Sequence, residues 1–207
     1  MTAGHVIEDA TPENLSLVYR RGPSNEKVPI ESIHHWNDLS TDLDVGFLTL
    51  SPEVARLIGK NFLTEDHFDV AAKNLSTDLV ALNGFPNGLF EHDGKKHYKF
   101  GAFTFVTVCE EIKKWHQPIN ADMQIEFGYP DVATDAQTNQ PYTMPDVRGM
   151  SGGGMWVLNI NPKGIWSPES CRLVGVTAVW SPDREYVRGN RVEHWLRFAD
   201  KILDSGK

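Results

Sequence analysis

Short runs of apolar or alternating residues, separated by turn-forming residues, constrain the fold of this chain more than any other sequence feature. Such runs are typical of β-strands, and their close spacing predicts an all-β sandwich or barrel. Asp93-Gly94, directly ahead of the Tyr98 run, predicts a hairpin turn. The clearest predicted strands are Leu15–Arg20, Val28–Ile33, Asp44–Leu50, Asp78–Asn83, Tyr98–Cys109, Met123–Phe127, Met155–Ile160 and Arg172–Trp180.

Two segments depart from the strand pattern. Pro52–Phe62 fits either one helix, with Ser51 as its cap, or an irregular linker. Near the end of the chain, apolar residues recur at the spacing of one helix face. They predict an amphipathic helix from Asn190, as its cap, to about Leu203. The recurring residues are Val192, Trp195, Leu196, Ala199 and Ile202.

Composition excludes some partners. The net charge is −8 over 207 residues, and the lysines and arginines form no local basic patch. A chain of this kind is a poor binder of nucleic acid or of an anionic membrane surface, so neither is predicted as a partner. Residues 1–10 lack the pattern of a signal peptide, and no apolar run approaches the ~18 residues of a membrane span. Cys109 and Cys171 fit one disulfide or two thiols and leave the compartment open.

A glycine-rich stretch, GMSGG, surrounds Ser151. A serine hydroxyl becomes a nucleophile only when a base takes its proton, an acid orients the base, and donors face the developing oxyanion. Gly149, Gly152 and Gly153 would let backbone N–H groups converge and leave room for a substrate carbonyl. Taken alone, the stretch fits a nucleophile loop and an inert glycine turn equally well.

Two upstream segments supply the missing partners. His5 lies in TAGHV, and Asp44 opens the apolar strand DVGFL, with Asp42 as a neighbouring candidate. Each is weak evidence alone, because a single histidine or aspartate is usually structural or on the surface. Together with Ser151 they form an ordered set of base, acid and nucleophile, which favours nucleophilic catalysis.

In these segments the sequence resembles the trypsin-like, chymotrypsin-fold serine peptidases, most of all the bacterial kind that includes the HtrA-type proteases. TAGHV is similar to the family's T-A-x-H, DVGFL to its acid-bearing strand, and GMSGG to its G-x-S-G-G. LNGFP, ending at Pro86, and RLVGVTAVW resemble two strands of the second barrel. The resemblance implies two six-stranded antiparallel β-barrels followed by a C-terminal helix.

The resemblance also implies functional roles. His5, Asp44 and Ser151 would be catalytic, and the N–H groups of Gly149 and Ser151 would form the oxyanion hole of a serine endopeptidase. The substrate would be a peptide or protein, with no cofactor and no metal. Oligomeric state is left open.

The sequence indicates the substrate-binding residues less clearly than the catalytic ones. By resemblance, the residues just before the serine line the primary pocket, where Asp146 would favour a basic side chain and Pro145 a small or apolar one. The second reading is preferred. Thr177, Ala178 and Val179 are expected to form the strand that pairs with the substrate backbone.

The resemblance also suggests a division of the chain. Residues 1–50 would be a remnant of the first barrel, 51–77 a linker, 78–189 the second barrel and 190–207 the helix. His5 lies near the start, whereas the family histidine follows the opening strands of the first barrel. The chain as written is therefore expected to be poorly stable. It would be cytoplasmic if Met1 is the true start, and periplasmic or secreted if a signal peptide once preceded it.

Two other functions remain open. A catalytically inactive member of the same fold would bind peptides or act as a scaffold. Alternatively, GMSGG also satisfies the G-x-S-x-G elbow of α/β-hydrolase esterases, with Asp183 and His194 as the acid and base. An elbow serine is followed by a helix, however, and the residues after Ser151 read as glycines and a strand.

Overall fold

The computed structural model describes residues 1–15, 17–21, 24–38, 43–58, 63–71, 75, 78–92, 98–109, 120–159, 167–180 and 186–205. In this part of the chain β-strands predominate, which confirms the all-β class. The strands are β1 (Leu17–Arg21), β2 (Ser24–Val28), β3 (Ser32–Asp38), β4 (Leu43–Thr49), β5 (Leu79–Gly84), β6 (Phe90–His92), β7 (Tyr98–Phe100), β8 (Phe103–Val108), β9 (Gln124–Gly128), β10 (Val132–Thr134), β11 (Pro141–Thr143), β12 (Gly154–Leu158), β13 (Cys171–Trp180) and β14 (Tyr186–Arg191). The helices are α1 (Pro52–Ile58) and α2 (Val192–Ser205), with short 3-10 helices at Gly4–Val6, Glu65–His67, Asn87–Leu89 and Pro168–Ser170.

One antiparallel sheet of six strands organises the second half of the chain, in the order β8-β5-β12-β13-β14-β9. Alternate residues point to one face, as the pleat requires. On β5 and β12 these are Val80, Leu82, Met155 and Val157, which are all buried in the main core cluster.

The two edges of this sheet approach each other through side chains. Phe105 of β8 packs edge-to-face on Tyr129, just after β9, with ring centroids 5.7 Å apart. Phe103 stacks on Tyr142 of β11 at 6.3 Å. The sheet is therefore curved into a half-barrel around its core.

The expectation of two six-stranded barrels is not met in the described residues. The second half forms the single curved sheet, whose edge strands β8 and β9 do not pair there. In the first half, β1 pairs only with β2 and β3 only with β4, as two antiparallel hairpins. Barrel closure requires every edge strand to have a partner, and within the described residues the only further pairing of these hairpins is the bridge between Gly46 of β4 and Thr2.

Several strand boundaries differ from the predictions. The predicted strand Val28–Ile33 is wrong, because Val28 ends β2 and β3 begins only at Ser32. Pro29 lies in this break, where its missing N–H removes a ladder donor. Tyr98–Cys109 divides at Gly101, whose N–H donates to Leu89 O at 3.0 Å. The predicted turn at residues 93–94 lies outside the described residues, although β6 and β7 on either side pair antiparallel.

Strand β14 was missed because Arg188, Gly189 and Asn190 interrupt its apolar pattern.

The predicted C-terminal helix is present with shifted ends, and the segment left open between helix and linker begins as a helix. Ser51 Oγ accepts a hydrogen bond from Val54 N at 3.3 Å at the start of α1, which confirms the cap. Helix α1 ends at Ile58, and residues 59–62 lie outside the described residues. The cap predicted at Asn190 is wrong, since that residue belongs to β14 and α2 begins at Val192.

Helix α2 connects the two halves of the structure. Its buried residues Trp195 and Phe198 pack in one cluster with Val176 of β13 and with residues of β4. The β4 members are Leu43, Val45 and Phe47. The acid-bearing strand is therefore held against the sheet by the helix.

Cys109 and Cys171 are free thiols, so the disulfide left open by the sequence does not form. Burial raises the pKa of both thiols, with the nearby Asp78 adding to the effect at Cys109 and Arg172 opposing it at Cys171. None of the described helices is both long enough and apolar enough to span a bilayer.

Candidate active site

His5 and Asp44 contact each other in two ways. His5 Nδ1 lies 2.5 Å from Asp44 Oδ2, and the backbone N–H of His5 donates to Asp44 Oδ1 at 2.8 Å. The first contact orients the imidazole ring, and the second holds the backbone that carries it. The arrangement leaves Nε2 as the ring nitrogen that can accept a proton.

Close backbone packing makes this contact possible. The segment before His5 bridges to β4, where Thr2 N donates to Gly46 O at 2.9 Å and Gly46 N to Thr2 O at 3.2 Å. A Cβ added to Gly4 would lie 2.7 Å from Asp44 Oδ1. A glycine is therefore needed at position 4 for the chain to approach the carboxylate without adjustment.

The backbone of Asp44 is also held in place, by Asn190. Its backbone N–H donates to Asn190 Oδ1 at 3.0 Å, and Asn190 is almost fully buried in β14. The Asp44 side chain is 15% exposed and that of His5 42% exposed. The carboxylate is thus mostly shielded, while the imidazole is open to solvent.

The serine loop, residues 146–153, joins β11 to β12 in a tightly bonded conformation. Met150 N donates to Val147 O at 2.9 Å, and Gly153 N donates to Met150 O at 2.8 Å. Gly149 has φ +90° and Gly152 has φ +89°, in the region that favours glycine. These two glycines turn the chain so that Ser151 is presented between them.

The loop is docked on β13 through Thr177. Gly152 N donates to Thr177 O at 2.7 Å, and Thr177 N donates to Gly153 O at 2.8 Å. Because both backbone groups of Thr177 are used in this way, they cannot pair with a substrate.

The N–H groups of Gly149 and Ser151 donate no hydrogen bond to any described residue, whereas those of Met150, Gly152 and Gly153 all do. Free backbone donors at a serine and two residues before it can stabilise an oxyanion that forms on a bound carbonyl.

The histidine segment and the serine loop are neighbours. A Cβ added to Gly152 would lie 2.6 Å from Thr2 Oγ1, three residues before His5. Within the described residues, Ser151 Oγ and His5 Nε2 are not hydrogen-bonded to each other. Catalytic hydrogen bonds are often long or poorly aligned when no substrate is bound.

Of the two residues considered for the primary pocket, Asp146 is already paired with a cation. Its carboxylate accepts from Arg148 Nε at 2.8 Å and from Arg148 N at 2.9 Å. The hydrogen bond and charge of Asp146 raise the pKa of Arg148. Pro145 O accepts from Tyr129 Oη at 2.7 Å, which ties the start of the loop to the end of β9.

The three residues expected to pair with substrate have different environments. Thr177 is buried at 3% exposure and supports the loop, Ala178 is 9% exposed, and Val179 is 45% exposed. Ala178 lies at an irregularity in the pairing with β14, and the register with β12 ends at Val176. Ala178 and Val179 therefore lie beyond the last residue that β12 pairs.

Of the acid and base of the esterase alternative, the structure describes only His194, which contacts groups other than Ser151. His194 lies on α2, where Nε2 contacts Asp122 O at 2.7 Å and Glu193 Oε1 at 3.3 Å. Asp183 lies outside the described residues, as does Asp42, the second candidate for the acid. Strand β12, not a helix, follows Ser151, so the strand-to-helix elbow is absent there.

An apolar groove of about 620 Å³ opens directly beside the serine loop. Its lining includes the side chains of Leu63, Phe68, Phe85, Trp156, Leu173 and Val176. No sequence pattern predicts this groove, because its walls come from five separate segments. The support of Asp44 by Asn190 is likewise not visible in the sequence, since the two residues are far apart in the chain. Within the described part, no three His, Cys, Asp or Glu residues are grouped as a metal site.

No protein-family model matches the chain, and no curated protein matches it significantly. The residues of the site and their geometry are therefore the evidence for a function.

Proposed function

We propose that the chain is a serine endopeptidase of the trypsin-like kind, with His5, Asp44 and Ser151 as its catalytic residues. The observation that carries the proposal is the double contact of His5 with Asp44, through Nδ1 and through the backbone N–H. An aspartate held in this way fixes the tautomer of the histidine and stabilises its protonated form.

In the proposed reaction, His5 Nε2 takes the proton of Ser151 Oγ as the oxygen attacks the substrate carbonyl carbon. The negative charge that develops on the carbonyl oxygen is met by the N–H groups of Gly149 and Ser151. The C–N bond then breaks, and His5 gives its proton to the leaving amine. Water repeats the sequence on the acyl-serine, releasing the carboxylate product and free Ser151.

Two residues of β13 are proposed to pair with the substrate, and a third to support the serine loop. Ala178 and Val179 would pair with the substrate backbone, as in strand addition. Thr177 would act as a support of the serine loop, because its backbone groups are engaged by Gly152 and Gly153. The paired charge of Asp146 favours a small or apolar residue over a basic one in the primary pocket.

A fluorophosphonate probe tests the proposal. It should label the wild-type protein at Ser151, and the label should be lost in Ser151→Ala and strongly reduced in His5→Ala. Ser205→Ala, which removes an exposed hydroxyl at the end of α2, should label normally. Labelling that persists in Ser151→Ala would contradict the assignment.

A non-catalytic peptide-binding module is the second candidate. It is favoured by one observation, the absence of a hydrogen bond between Ser151 Oγ and His5 Nε2 in the described structure. This candidate predicts no labelling and no turnover, together with peptide affinity that is equal in the wild type and in Ser151→Ala. The same probe therefore separates the two functions.

A further inference from the structure

The apolar groove shares residues with the serine loop. Gly149, Ser151 and Gly153 line it, so a peptide whose carbonyl lies at Ser151 must pass over or into it. None of the side chains of the described residues that line it is charged, although the α-amino group of Met1, whose pKa is lowered by burial, lies on a lining residue. Leu63 and Phe85 are 45% and 57% exposed, so apolar surface faces solvent beside a proposed nucleophile.

Hydrogen bonds fix two parts of the groove lining, the indole of Trp156 and the segment that carries Phe68. Asn83 Oδ1 accepts from Trp156 Nε1 and from Gly154 N, both at 3.0 Å, which sets the position of the indole. Asp69 N donates to Leu173 O at 3.0 Å, which holds the segment carrying Phe68 against β13. A preformed groove of this kind loses little entropy when it is filled.

The serine loop lies beside β13 at Thr177, where Gly152 and Gly153 are bonded to it. Leu173 and Val176, which precede Thr177 on β13, line the groove, whereas the proposed substrate-pairing residues Ala178 and Val179 follow it. A peptide that pairs with Ala178 and Val179 through its acyl side would therefore carry its leaving-group side toward the groove.

We propose that this groove is the binding site for an apolar side chain on the leaving-group side of the scissile bond. The favoured substrates are peptides with a large apolar residue, such as leucine or phenylalanine, directly after the bond that is cleaved. The proposal rests on the proposed peptidase function and adds the substrate class. Phe85 and Leu63 are the specificity-determining residues, because their exposed side chains form the rim of the groove.

Acyl transfer to added amines measures this site directly. Once Ser151 carries an acyl group from an ester substrate, an amine bound in the leaving-group site can attack the acyl carbon in place of water. The ester C–O bond to Ser151 breaks, a C–N bond forms, and His5 relays the amine proton to Ser151 Oγ. The ratio of amide to acid product therefore reports occupancy of the groove by the amine.

The experiment compares phenylalaninamide and leucinamide with glycinamide as acceptors at equal concentration. We expect the apolar amines to give an amide-to-acid ratio about 10-fold or more above that of glycinamide, as is typical of filling an apolar pocket. Phe85→Ser and Leu63→Ser should each lower this preference several-fold. Val132→Ser is the matched control, since Val132 is 56% exposed and lies on β10 away from the groove.

Sequencing the products of a peptide library gives an independent readout. The new amino termini should be enriched in leucine, phenylalanine and methionine in the wild type, and less so in Phe85→Ser. An acyl-enzyme that transfers equally to all three amines would overturn the groove assignment while leaving the peptidase proposal standing. Failure to form any acyl-enzyme would overturn both. A preference unchanged in both groove variants would also contradict the assignment.

Discussion

At the residue scale, Asp44 is the most constrained member of the candidate site. It accepts two hydrogen bonds from His5 and donates its own N–H to buried Asn190. Because Asn190 holds the backbone of Asp44, the carboxylate has little freedom to follow the imidazole if the ring moves. The direction of His5 Nε2 is therefore determined by the strand that carries the acid.

Asp44→Asn should leave the fold intact and remove most of the proposed peptidase activity. The amide keeps the size of the carboxylate but does not stabilise a protonated His5 or select its tautomer. We expect kcat to fall by about 10⁴-fold, as this substitution does in Ser-His-Asp triads. Turnover of an ester substrate, alongside Asp9→Asn as an exposed control, measures the loss. A decrease of less than tenfold would argue against Asp44 as the orienting acid.

Gly149 is the second constrained residue, because its φ of +90° is unfavourable for other residues. A Cβ there would also lie 2.3 Å from Asn87 Oδ1. Gly149→Ala should lower the free energy of unfolding by about 1–3 kcal/mol and reduce labelling of Ser151. Gly128→Ala is the control, since a Cβ there meets no atom within 4 Å. Equal stability of the two variants in denaturant titrations would contradict the strain assigned to position 149.

At the scale of elements, helix α2 holds the histidine-bearing half of the structure against the sheet. Trp195 and Phe198 pack with Val176 of β13 and with Val45 of β4. Phe198 also contacts Phe47 edge-to-face, with ring centroids 5.4 Å apart. The helix is therefore part of the framework that brings the acid to the serine side of the molecule.

Trp195→Ala should be among the most destabilising single changes in α2. The side chain is 1% exposed, and its removal leaves a large cavity between the helix and both halves of the structure. We expect a loss of about 3–5 kcal/mol in the free energy of unfolding. Leu203→Ala, on the same helix but 58% exposed, should change it by less than about 0.5 kcal/mol. Thermal and denaturant unfolding of both variants give the comparison.

At the scale of the whole molecule, one buried ion pair lies across the last two strands of the sheet. Glu126 on β9 is directly opposite Arg188 on β14, and Arg188 Nε contacts Glu126 Oε1. Their side chains are 2% and 5% exposed. Within the described residues, Glu126 Oε2 is buried without a hydrogen-bond partner. The desolvation of this pair opposes folding, so its geometry decides its net contribution.

Breaking the pair should cost more than replacing it. Glu126→Leu alone removes the carboxylate that Arg188 contacts in this buried site, and we expect it to lower the free energy of unfolding by about 3–5 kcal/mol. Glu126→Leu combined with Arg188→Met should be near neutral or stabilising by about 1–4 kcal/mol. A double variant as unstable as the single one would show that the pair itself supports the sheet.

The pair also predicts a pH dependence of stability. Burial raises the pKa of Glu126, and the hydrogen bond and charge of Arg188 oppose this only in part. The folded state then binds this proton more tightly than the unfolded state, so stability falls as pH rises from about 4.3 through the raised value. This component should be absent from Glu126→Gln and present in Glu53→Gln, an exposed control. Denaturant titrations between about pH 4 and 8 measure the difference.

The sequence alone was enough to predict the β class, most strand positions and the helix at the end of the chain. It also singled out His5 and Asp44, which the structure brings into contact, and the glycine loop around Ser151. These features are readable because they depend on local patterns, such as alternation, helical spacing and glycine placement. Asn190 was misread as a helix cap, because its position before an amphipathic run is the same signal that a cap would give.

The remaining features were decided by tertiary structure. Val28–Ile33 is divided, β14 forms despite its polar residues, and the described strands form a curved sheet and not the two closed barrels that the resemblance implied. The contact of Asn190 with Asp44, the docking of the serine loop on Thr177 and the apolar groove all join residues distant in the chain. A sequence records which side chains are apolar or polar, but it does not record which of them meet. Only packing determines that, because contacts between distant segments depend on the position of every strand between them.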